Sequence, residues 1–217
     1  MRVLNLSRVR HAVVVAPHSD DETIGAFHLI RKLRVRGARV DIIVVTDGSA
    51  SHRNSVQFPK RRLVAERQAE TVRAMQLVGV PRKRIQFLGL PDGGLDTYDP
   101  LDLRAALVRL ARRPTPDLLI EPTFDDDHPD HRQVARMCAR AWSPKIPRIR
   151  YMVWPAKEHR ADMCSMPTIA GSALAKKIAL GRYRTQTGLI RDDPQGFALS
   201  DAMVRRMCTS RERFQWG

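Results

Sequence analysis

Cysteine and long apolar stretches are both scarce in this chain. Its 217 residues include three cysteines, and none of them forms a Cys-x-x-Cys pair. This pattern argues against a disulfide framework and against a thiolate metal site, so we predict a reducing, cytoplasmic location. The longest apolar runs, Ala12 to Pro17 and Ile42 to Val45, fall far short of the roughly 18 residues that span a bilayer. We therefore predict no transmembrane segment.

Acidic residues are outnumbered by basic ones. The chain has 38 Lys and Arg against 23 Asp and Glu, a net charge of +15. This charge is dispersed in pairs such as Arg61-Arg62 and Arg205-Arg206, which favours a generally basic surface over a dedicated nucleic-acid site. No helix-turn-helix, zinc-finger or RNP-type motif is present. A non-catalytic nucleic-acid-binding domain is therefore only an alternative, and the charge leads us to hypothesise an anionic substrate.

The remaining composition is that of an ordinary globular protein. With 43% hydrophobic and 28% charged residues, the chain can bury a sizeable core. Its length fits one domain over residues 1–217. We divide this domain into a core over 1–155 and a less regular, substrate-side extension over 156–217.

Strands alternate with helices along most of the chain. The predicted strands are 11–16, 40–46, 84–88, 117–120 and 149–153, and the predicted helices between them are 22–36, 63–78, 101–112 and 129–142. This order predicts an α/β, Rossmann-like fold, a mostly parallel sheet flanked by helices. Beyond Trp154 we predict an irregular stretch over 155–169 and helices over 173–183 and 201–211.

Three polar clusters follow predicted strands, at residues 17–22, 46–49 and 124–131. In a parallel α/β sheet, ligands bind outside the carboxyl ends of the strands. We therefore expect the three clusters to converge on one crevice, although they are far apart in the sequence.

Two of these clusters contain spaced metal-ligand residues. His18 and Asp21 lie three residues apart in a strand-to-helix turn, and His128 and His131 lie three apart at a helix start that Pro129 suits. Two histidines and one carboxylate form a common open zinc set with a free position for water. Such a site suits hydrolysis, since zinc activates water and a nearby carboxylate takes the proton.

With these motifs the chain resembles the PIG-L (LmbE-like) family of zinc-dependent N-deacetylases. The family's first signature, Ala-His-Pro-Asp-Asp-Glu, appears as Ala-Pro-His-Ser-Asp-Asp-Glu at 16–22, and His-Pro-Asp-His is intact at 128–131. Further similarities are Thr-Asp-Gly at 46–48, Arg-x-x-Glu at 67–70, Leu-Val-Gly-Val at 77–80 and Leu-Pro-Asp-Gly at 90–93. The resemblance covers about residues 11–155.

The resemblance also implies residue roles. One Zn²⁺ ion, or another divalent ion in its place, would be held by His18, Asp21 and His131. Asp20 would be the general base, His128 would stabilise the oxyanion, and Arg67 would contact the substrate. The implied reaction removes an N-acyl group, most simply acetyl, from an amino sugar of the N-acetylglucosamine type.

Two departures from the family pattern concern the first motif. Ser19 replaces a proline, which should not affect ligation. Ala26-Phe27-His28 replaces a small glycine-containing stretch, and we expect this to reshape the floor of the pocket.

Simpler structural roles are predicted for several other residues. Most of Asp125 to Asp127 are expected to be solvated loop or capping groups, and Arg67 with Glu70 could equally be a surface helix pair. Trp142, Trp154 and Trp216 are expected to be packing residues. A phosphoesterase is the alternative metal hydrolase, but it would normally need more ligands for a second metal.

Overall fold

A computed structural model describes residues 6–97, 105–106, 108–109, 114–155 and 167–217. The elements that precede the fourth strand are β1 (His11–Ala16), α1 (Asp21–Val35), β2 (Arg39–Thr46), α2 (Lys60–Gln76), a 3₁₀ turn (Arg82–Arg84) and β3 (Ile85–Leu90). They are followed by β4 (Leu118–Pro122), α3 (Pro129–Ala141), β5 (Arg148–Tyr151), β6 (Thr168–Ala170), α4 (Ala173–Leu180), a 3₁₀ turn (Arg184–Gln186), α5 (Asp201–Met207), β7 (Arg211–Arg213) and β8 (Gln215–Trp216).

A six-stranded sheet in the order β3-β2-β1-β4-β5-β8 organises the chain. The pairs among β1 to β5 are parallel, and β8 adds an antiparallel edge to β5. Strands β1 and β4 are buried along almost their whole length, as expected for parallel strands covered on both faces. The predicted α/β fold, a mostly parallel sheet flanked by helices, is confirmed.

Each face of the sheet packs into its own core. Alternate residues of β1 point to opposite faces, so that Val14 belongs to one core and Val13 and Val15 belong to the other. Phe27 and other apolar residues of α1 fill the first core, and Met137 and its neighbours on α3 fill the second. The two helices therefore cover opposite faces and begin close to the ends of β1 and β4.

The predicted boundaries are least accurate near the C-terminal end. The predicted helix over 201–211 ends at Met207, because Arg211–Arg213 forms β7 and pairs antiparallel with β6. Strand β6 in turn corrects the predicted irregular stretch over 155–169. The carboxylate of Glu212 holds β7 in place by accepting the backbone N–H groups of His28 and Leu29. The predicted helix over 101–112 and residues 156–166 fall largely outside the described residues.

Across the described ranges, no helix combines the length and apolar character required to cross a membrane.

Candidate active site

The turn after β1 places two of the predicted ligands side by side. The backbone N–H of His18 donates to Asp21 Oδ2 at 2.8 Å, and the imidazole Nδ1 of His18 lies 3.1 Å from the same oxygen. Asp20, between them, has a φ of 117° and is the sole non-glycine residue with positive φ in the described part of the chain. The turn is thus fixed by the Asp21 carboxylate itself.

The helix start after β4 brings His131 to the same point. His131 Nε2 lies 3.1 Å from Asp21 Oδ2 and 3.3 Å from His18 Nδ1. Donor atoms about 2.0–2.1 Å from a tetrahedral zinc ion lie about 3.3 Å from one another. The three residues therefore fit such an ion, and the structure brings the predicted ligand set together.

A second group that could hold an ion contains His18, His128 and Asp130. The Asp130 carboxylate, however, already accepts the backbone N–H groups of Gly93, Gly94 and Leu95. Both oxygens of Asp130 therefore have hydrogen-bond partners already. In the set of His18, Asp21 and His131 the three donor atoms lie 3.1 to 3.3 Å from one another, which makes this set the better candidate for a metal site.

Carboxylates lie behind both histidines. His18 Nε2 lies 3.2 Å from Asp130 Oδ2 and 3.1 Å from Asp92 Oδ1. His131 Nδ1 lies 3.2 Å from Asp126 Oδ2. Such partners orient the imidazole and decide which ring nitrogen is free to bind a metal. His18 therefore presents Nδ1, and His131 presents Nε2.

Asp126 differs from its neighbours in the acidic loop. Asp125 and Asp127 are exposed, as expected, but Asp126 is only 1% exposed. Its carboxylate also accepts the backbone N–H groups of His128, Val153 and Trp154. The solvated-loop interpretation is thus wrong for Asp126, and nothing in the local sequence distinguishes it from the other two.

The charged side chains of the site strongly affect one another's pKa values. Burial alone would lower the pKa of His131, but the Asp21 and Asp126 carboxylates outweigh it and raise that pKa to about 9. Burial likewise opposes protonation of His18, yet hydrogen bonds to Asp130, Asp21 and Asp92 raise its pKa well above the usual value. Burial would raise the pKa of Asp21, but the two histidines hold it far below the ordinary range. The carboxylates around these imidazoles therefore favour positive charge at this position.

Asp20 lines the same cavity, but its pKa is shifted in the opposite direction to that of Asp21. Burial raises the pKa of its carboxyl group well above the ordinary range, although the opposing charge of Arg67 lowers it. Asp20 Oδ2 lies 3.8 Å from Arg67 Nη2. A carboxyl group with a raised pKa beside a metal site can both accept and donate a proton near neutral pH.

His128 caps the helix that carries His131. Its Nδ1 accepts the backbone N–H of Asp130 at 3.2 Å, so the proton of the neutral ring lies on Nε2. Burial, with the nearby charges of His18 and His131, lowers the pKa of His128. The ring centroids of His128 and His18 are 4.8 Å apart. His128 is therefore a neutral N–H donor beside the site.

Arg67 and Glu70 are both buried, so the surface-pair interpretation is wrong. Arg67 donates to the backbone carbonyl groups of Gly48 and Ser19, each at 2.9 Å. Glu70 accepts from the backbone N–H and the hydroxyl group of Thr185, at 2.9 and 2.6 Å. Arg67 thus joins two of the polar clusters, and Glu70 anchors the C-terminal part of the chain.

Two of the predicted clusters, 17–22 and 124–131, contribute residues to a cavity of about 350 Å³. The third cluster, 46–49, lies beside it, where the Gly48 carbonyl oxygen accepts a hydrogen bond from Arg67. Its lining residues are His18, Asp20, Asp21, Ala50, Ser51, Arg67, Asp92, Gly93, His128, Trp154, Gln186 and Phe197. His131 lies behind this surface and is fully buried. Sequence reasoning did not assign a site role to Asp92, Trp154, Gln186 or Phe197. Trp154 packs against the first core, as expected, and also lines the cavity.

The stretch Ala26-Phe27-His28 does not form the floor of the cavity. Phe27 packs in a hydrophobic core, and His28 Nε2 lies 2.9 Å from the carbonyl oxygen of Thr209. The helical period of α1 carries these side chains away from the cavity. The expected reshaping of the pocket by this stretch is therefore wrong.

The fold and the site together define an α/β enzyme with a potential metal site at the carboxyl ends of its parallel strands. Residues 13–142 match the family model described as GlcNAc-PI de-N-acetylase (PIG-L), and the chain belongs to this family. The predicted family and the predicted enzyme class, an N-deacetylase, are confirmed.

Similar proteins are found by sequence and by structure. A Bacillus cereus protein, named as a probable N-acetyl-α-D-glucosaminyl L-malate deacetylase 2, is 28% identical over 195 residues, which cover 85% of this chain and 87% of the relative. The structure of N,N'-diacetylchitobiose deacetylase from Pyrococcus horikoshii matches this one with a TM-score of 0.74 at 20% sequence identity. The match covers 100% of this chain and 87% of the Pyrococcus horikoshii chain. The structure of a 4-carboxy-2-hydroxymuconate hydratase from Pseudomonas putida matches with a TM-score of 0.65 at 14% sequence identity. This match covers 92% of this chain and 82% of the hydratase chain. At these identities, the two structures support the fold alone.

Proposed function

We propose that the protein is a zinc-dependent hydrolase that removes the acetyl group from the nitrogen of an amino sugar or an amino-sugar conjugate. The observation that carries the proposal is the spacing of 3.1 to 3.3 Å among the donor atoms of His18, Asp21 and His131. The name of the Bacillus cereus relative supports an N-acetylglucosamine-type substrate.

The donor set suits zinc, because two imidazoles and one carboxylate leave a position open for water or substrate. When bound there, zinc would supply a Lewis acid for the amide carbonyl and lower the pKa of water to about 7. Another divalent ion is the alternative for the same donors.

Asp20 acts as the general base in this proposal. Its carboxylate takes a proton from the attacking water and then delivers it to the leaving nitrogen, so that the amine departs neutral. Burial supports this role, because it raises the pKa of the Asp20 carboxyl group well above its ordinary value and so makes the carboxylate a stronger base. The Arg67 guanidinium, 3.8 Å away, limits that rise.

His128 and Arg67 act on the substrate. The Nε2–H of His128 donates to the carbonyl oxygen as this oxygen gains negative charge, which is the kind of interaction that stabilises a transition state. Support comes from the bond between Asp130 N–H and His128 Nδ1, which sets the required tautomer. Arg67 lines the cavity, which supports its role as a substrate contact.

The hypothesis of an anionic substrate concerns the rim of the cavity. The cavity lining combines Arg67 with several carboxylates, so a substrate anion is better placed outside it. Arg53 is exposed, and its Nη2 would lie 3.3 Å from a Cβ added to Gly93, which lines the cavity. We place a substrate anion at this rim; rates that do not respond to ionic strength would contradict that placement.

The test is a panel of N-acetylated sugars and sugar conjugates, incubated with zinc-loaded protein and assayed for free amine. We expect amine release that a chelator abolishes and added zinc restores. A phosphate monoester serves as the parallel substrate for the phosphoesterase alternative. Release of phosphate with no release of amine would overturn the proposed reaction.

A further inference from the structure

We propose that Trp154, Gln186 and Phe197 form an acceptor wall that selects an amino sugar in its ring form. The two aromatic side chains would stack against the apolar face of a pyranose, and the Gln186 amide would pair with a ring hydroxyl. This inference rests on the proposed function, and it adds how the protein recognises the sugar ring that carries the acetamido group.

The acceptor wall is separate in the sequence from the residues assigned to the reaction. The family match ends at residue 142, so all three wall residues lie beyond it. They line the same cavity as His18, Asp20 and His128. A substrate bound at the metal site would therefore contact surface that the matched family region does not supply.

The aromatic pair presents apolar surface at the cavity. The ring centroids of Trp154 and Phe197 are 5.9 Å apart and the ring planes meet at 84°, an edge-to-face arrangement. Phe197 remains 41% exposed although it is a large apolar side chain. The C–H face of a sugar ring would cover this surface, and an aromatic body suits a ligand that is apolar on one face and polar at its edge.

Gln186 places a buried amide against the cavity. The residue is only 1% exposed, yet the hydrogen bond found for its amide in the described chain is a long one, 3.5 Å from Nε2 to Thr185 Oγ1. That hydroxyl is already engaged with Glu70 at 2.6 Å. Buried amides normally have hydrogen-bond partners. A hydroxyl group of a ligand in the cavity would give the Gln186 amide a shorter hydrogen bond than the one to Thr185.

The acceptor wall is fastened to the core before any ligand binds. Glu70 holds the turn at Thr185, and the backbone N–H of Leu199 donates to the Gln186 carbonyl oxygen at 2.7 Å. The N–H of Phe197 donates to the carbonyl oxygen of Ser51 at 2.6 Å. Such bonds preorganise the surface, so a ligand loses less affinity in ordering it.

Selectivity for a ring is the consequence that can be measured. We compare N-acetylglucosamine with N-acetylethanolamine, which has the same acetamide but no ring, as substrates of the zinc-loaded protein. Phe197→Ala should lower kcat/KM for the sugar about tenfold, in keeping with the value of an aromatic contact. Gln186→Leu should lower it about 10- to 100-fold, because a hydroxyl then faces no partner. Both variants should leave the acyclic substrate within about twofold of the parent protein.

Leu174→Ala is the matched control for the loss of an exposed apolar side chain. Leu174 is 67% exposed on α4 and does not line the cavity, so both substrates should react as before. Phe197 is also exposed, so Phe197→Ala should fold normally. The test therefore remains valid even if the Gln186→Leu variant fails to fold. An equal loss on both substrates, or no loss on either, would overturn the acceptor wall.

A second readout does not depend on turnover. Binding of N-acetylglucosamine to the metal-free protein should change its tryptophan fluorescence; Trp154→Phe should remove that change, and Phe197→Ala should weaken it. If zinc-loaded protein releases amine from neither substrate and from none of the N-acetylated sugars and conjugates of the panel, the proposed function fails, while sugar binding that depends on Trp154 and Phe197 would still support the wall. Absence of sugar binding in this titration would count against the wall even in an active enzyme.

Discussion

His131 Nδ1 lies 3.2 Å from Asp126 Oδ2, and both side chains are fully enclosed by the protein. The same carboxylate oxygen accepts the backbone N–H groups of Val153 and Trp154. One buried carboxylate thus orients a proposed metal ligand and also positions the first residue of the acceptor wall. The metal site and the substrate surface are connected through Asp126.

Replacing Asp126 by Asn should weaken zinc binding by about 10- to 100-fold, the usual effect of losing a carboxylate behind a ligand histidine. The variant keeps the size of the side chain but removes the charge that orients His131. Competition with a zinc chelator of known affinity measures the change. Asp127→Asn is the matched control, because that neighbour is exposed. Equal zinc affinities for the two variants would contradict the role of Asp126.

Zinc binding at pH 7 should release between one and two protons. His131 has a pKa of about 9 in the metal-free protein, and the pKa of His18 is raised as well. Both rings must be deprotonated to bind a metal. Titration calorimetry in two buffers of different ionisation enthalpy gives the number of protons. Binding without proton release would show that both imidazoles are already neutral at pH 7, which would contradict the raised pKa values.

The same pKa predicts how stability depends on pH. The folded-state pKa of His131, about 9, exceeds the ordinary value near 6.5 of an unfolded chain. Protonation therefore stabilises the metal-free protein fully below about pH 6.5, and this contribution is lost as pH rises towards 9. The melting temperature of metal-free protein should fall across that range. His131→Ala should show a smaller fall, and an equal one would contradict the assignment.

Asp20→Asn should retain zinc and lose about 10²- to 10⁴-fold in kcat, because it keeps the shape of the side chain and removes the base. Metal content and turnover of the purified variant measure the two effects. His131→Ala should instead lose the metal. Full activity of Asp20→Asn would show that another group takes the proton.

The φ of 117° at Asp20 gives a separate prediction for stability. A side chain in this region costs about 1–2 kcal/mol, and glycine avoids the cost. Asp20→Gly should therefore be more stable than Asp20→Ala by about 1 kcal/mol, while both are inactive. Chemical denaturation measures the difference. Equal stability of the two variants would show that the backbone relaxes once the aspartate is gone.

Local patterns in the sequence predicted the parts of the structure that depend on local physics. The apolar run at 11–16 predicted β1 with its observed bounds, because a strand buried on both faces needs apolar residues throughout. Spacing predicted that His18 lies near Asp21 and His128 near His131, since residues three apart share a turn or a helix face; only the resemblance to the family separated the role of His128 from that of His131. Convergence of distant clusters followed from strand ends in a parallel sheet.

The parts that were missed depend on contacts between residues far apart in the sequence. Strand β7 is rich in arginine and carries no strand pattern; Glu212 fixes it through bonds to α1, which lies 184 residues away. Burial alone distinguishes Asp126 from its two acidic neighbours. Trp154 and Phe197 meet because separate loops end at the same cavity. A short stretch of sequence carries no information on these long-range contacts, so they could not be predicted from local patterns.

The buried ion pair between Lys176 and Glu212 holds the C-terminal part of the chain onto α1. Lys176 Nζ donates to Glu212 Oε1 at 2.8 Å and to the carbonyl oxygen of Ile24 at 2.6 Å. Both side chains are 2% exposed. Loss of one partner therefore leaves a buried charge without its counter-charge, which typically costs about 3–5 kcal/mol.

Lys176→Met should accordingly lower the free energy of unfolding by about 3–5 kcal/mol. Adding Glu212→Gln to this variant should restore part of the lost stability, because no unpaired buried charge then remains. Lys177→Met is the matched control: this lysine adjoins Lys176 on α4 but is exposed, and its loss should change stability by less than about 0.5 kcal/mol. Urea denaturation of the parent protein, Lys176→Met, Glu212→Gln, the double variant and Lys177→Met measures each of these changes. A double variant that loses the full sum of the two single changes would show that Lys176 and Glu212 contribute independently and not as a pair.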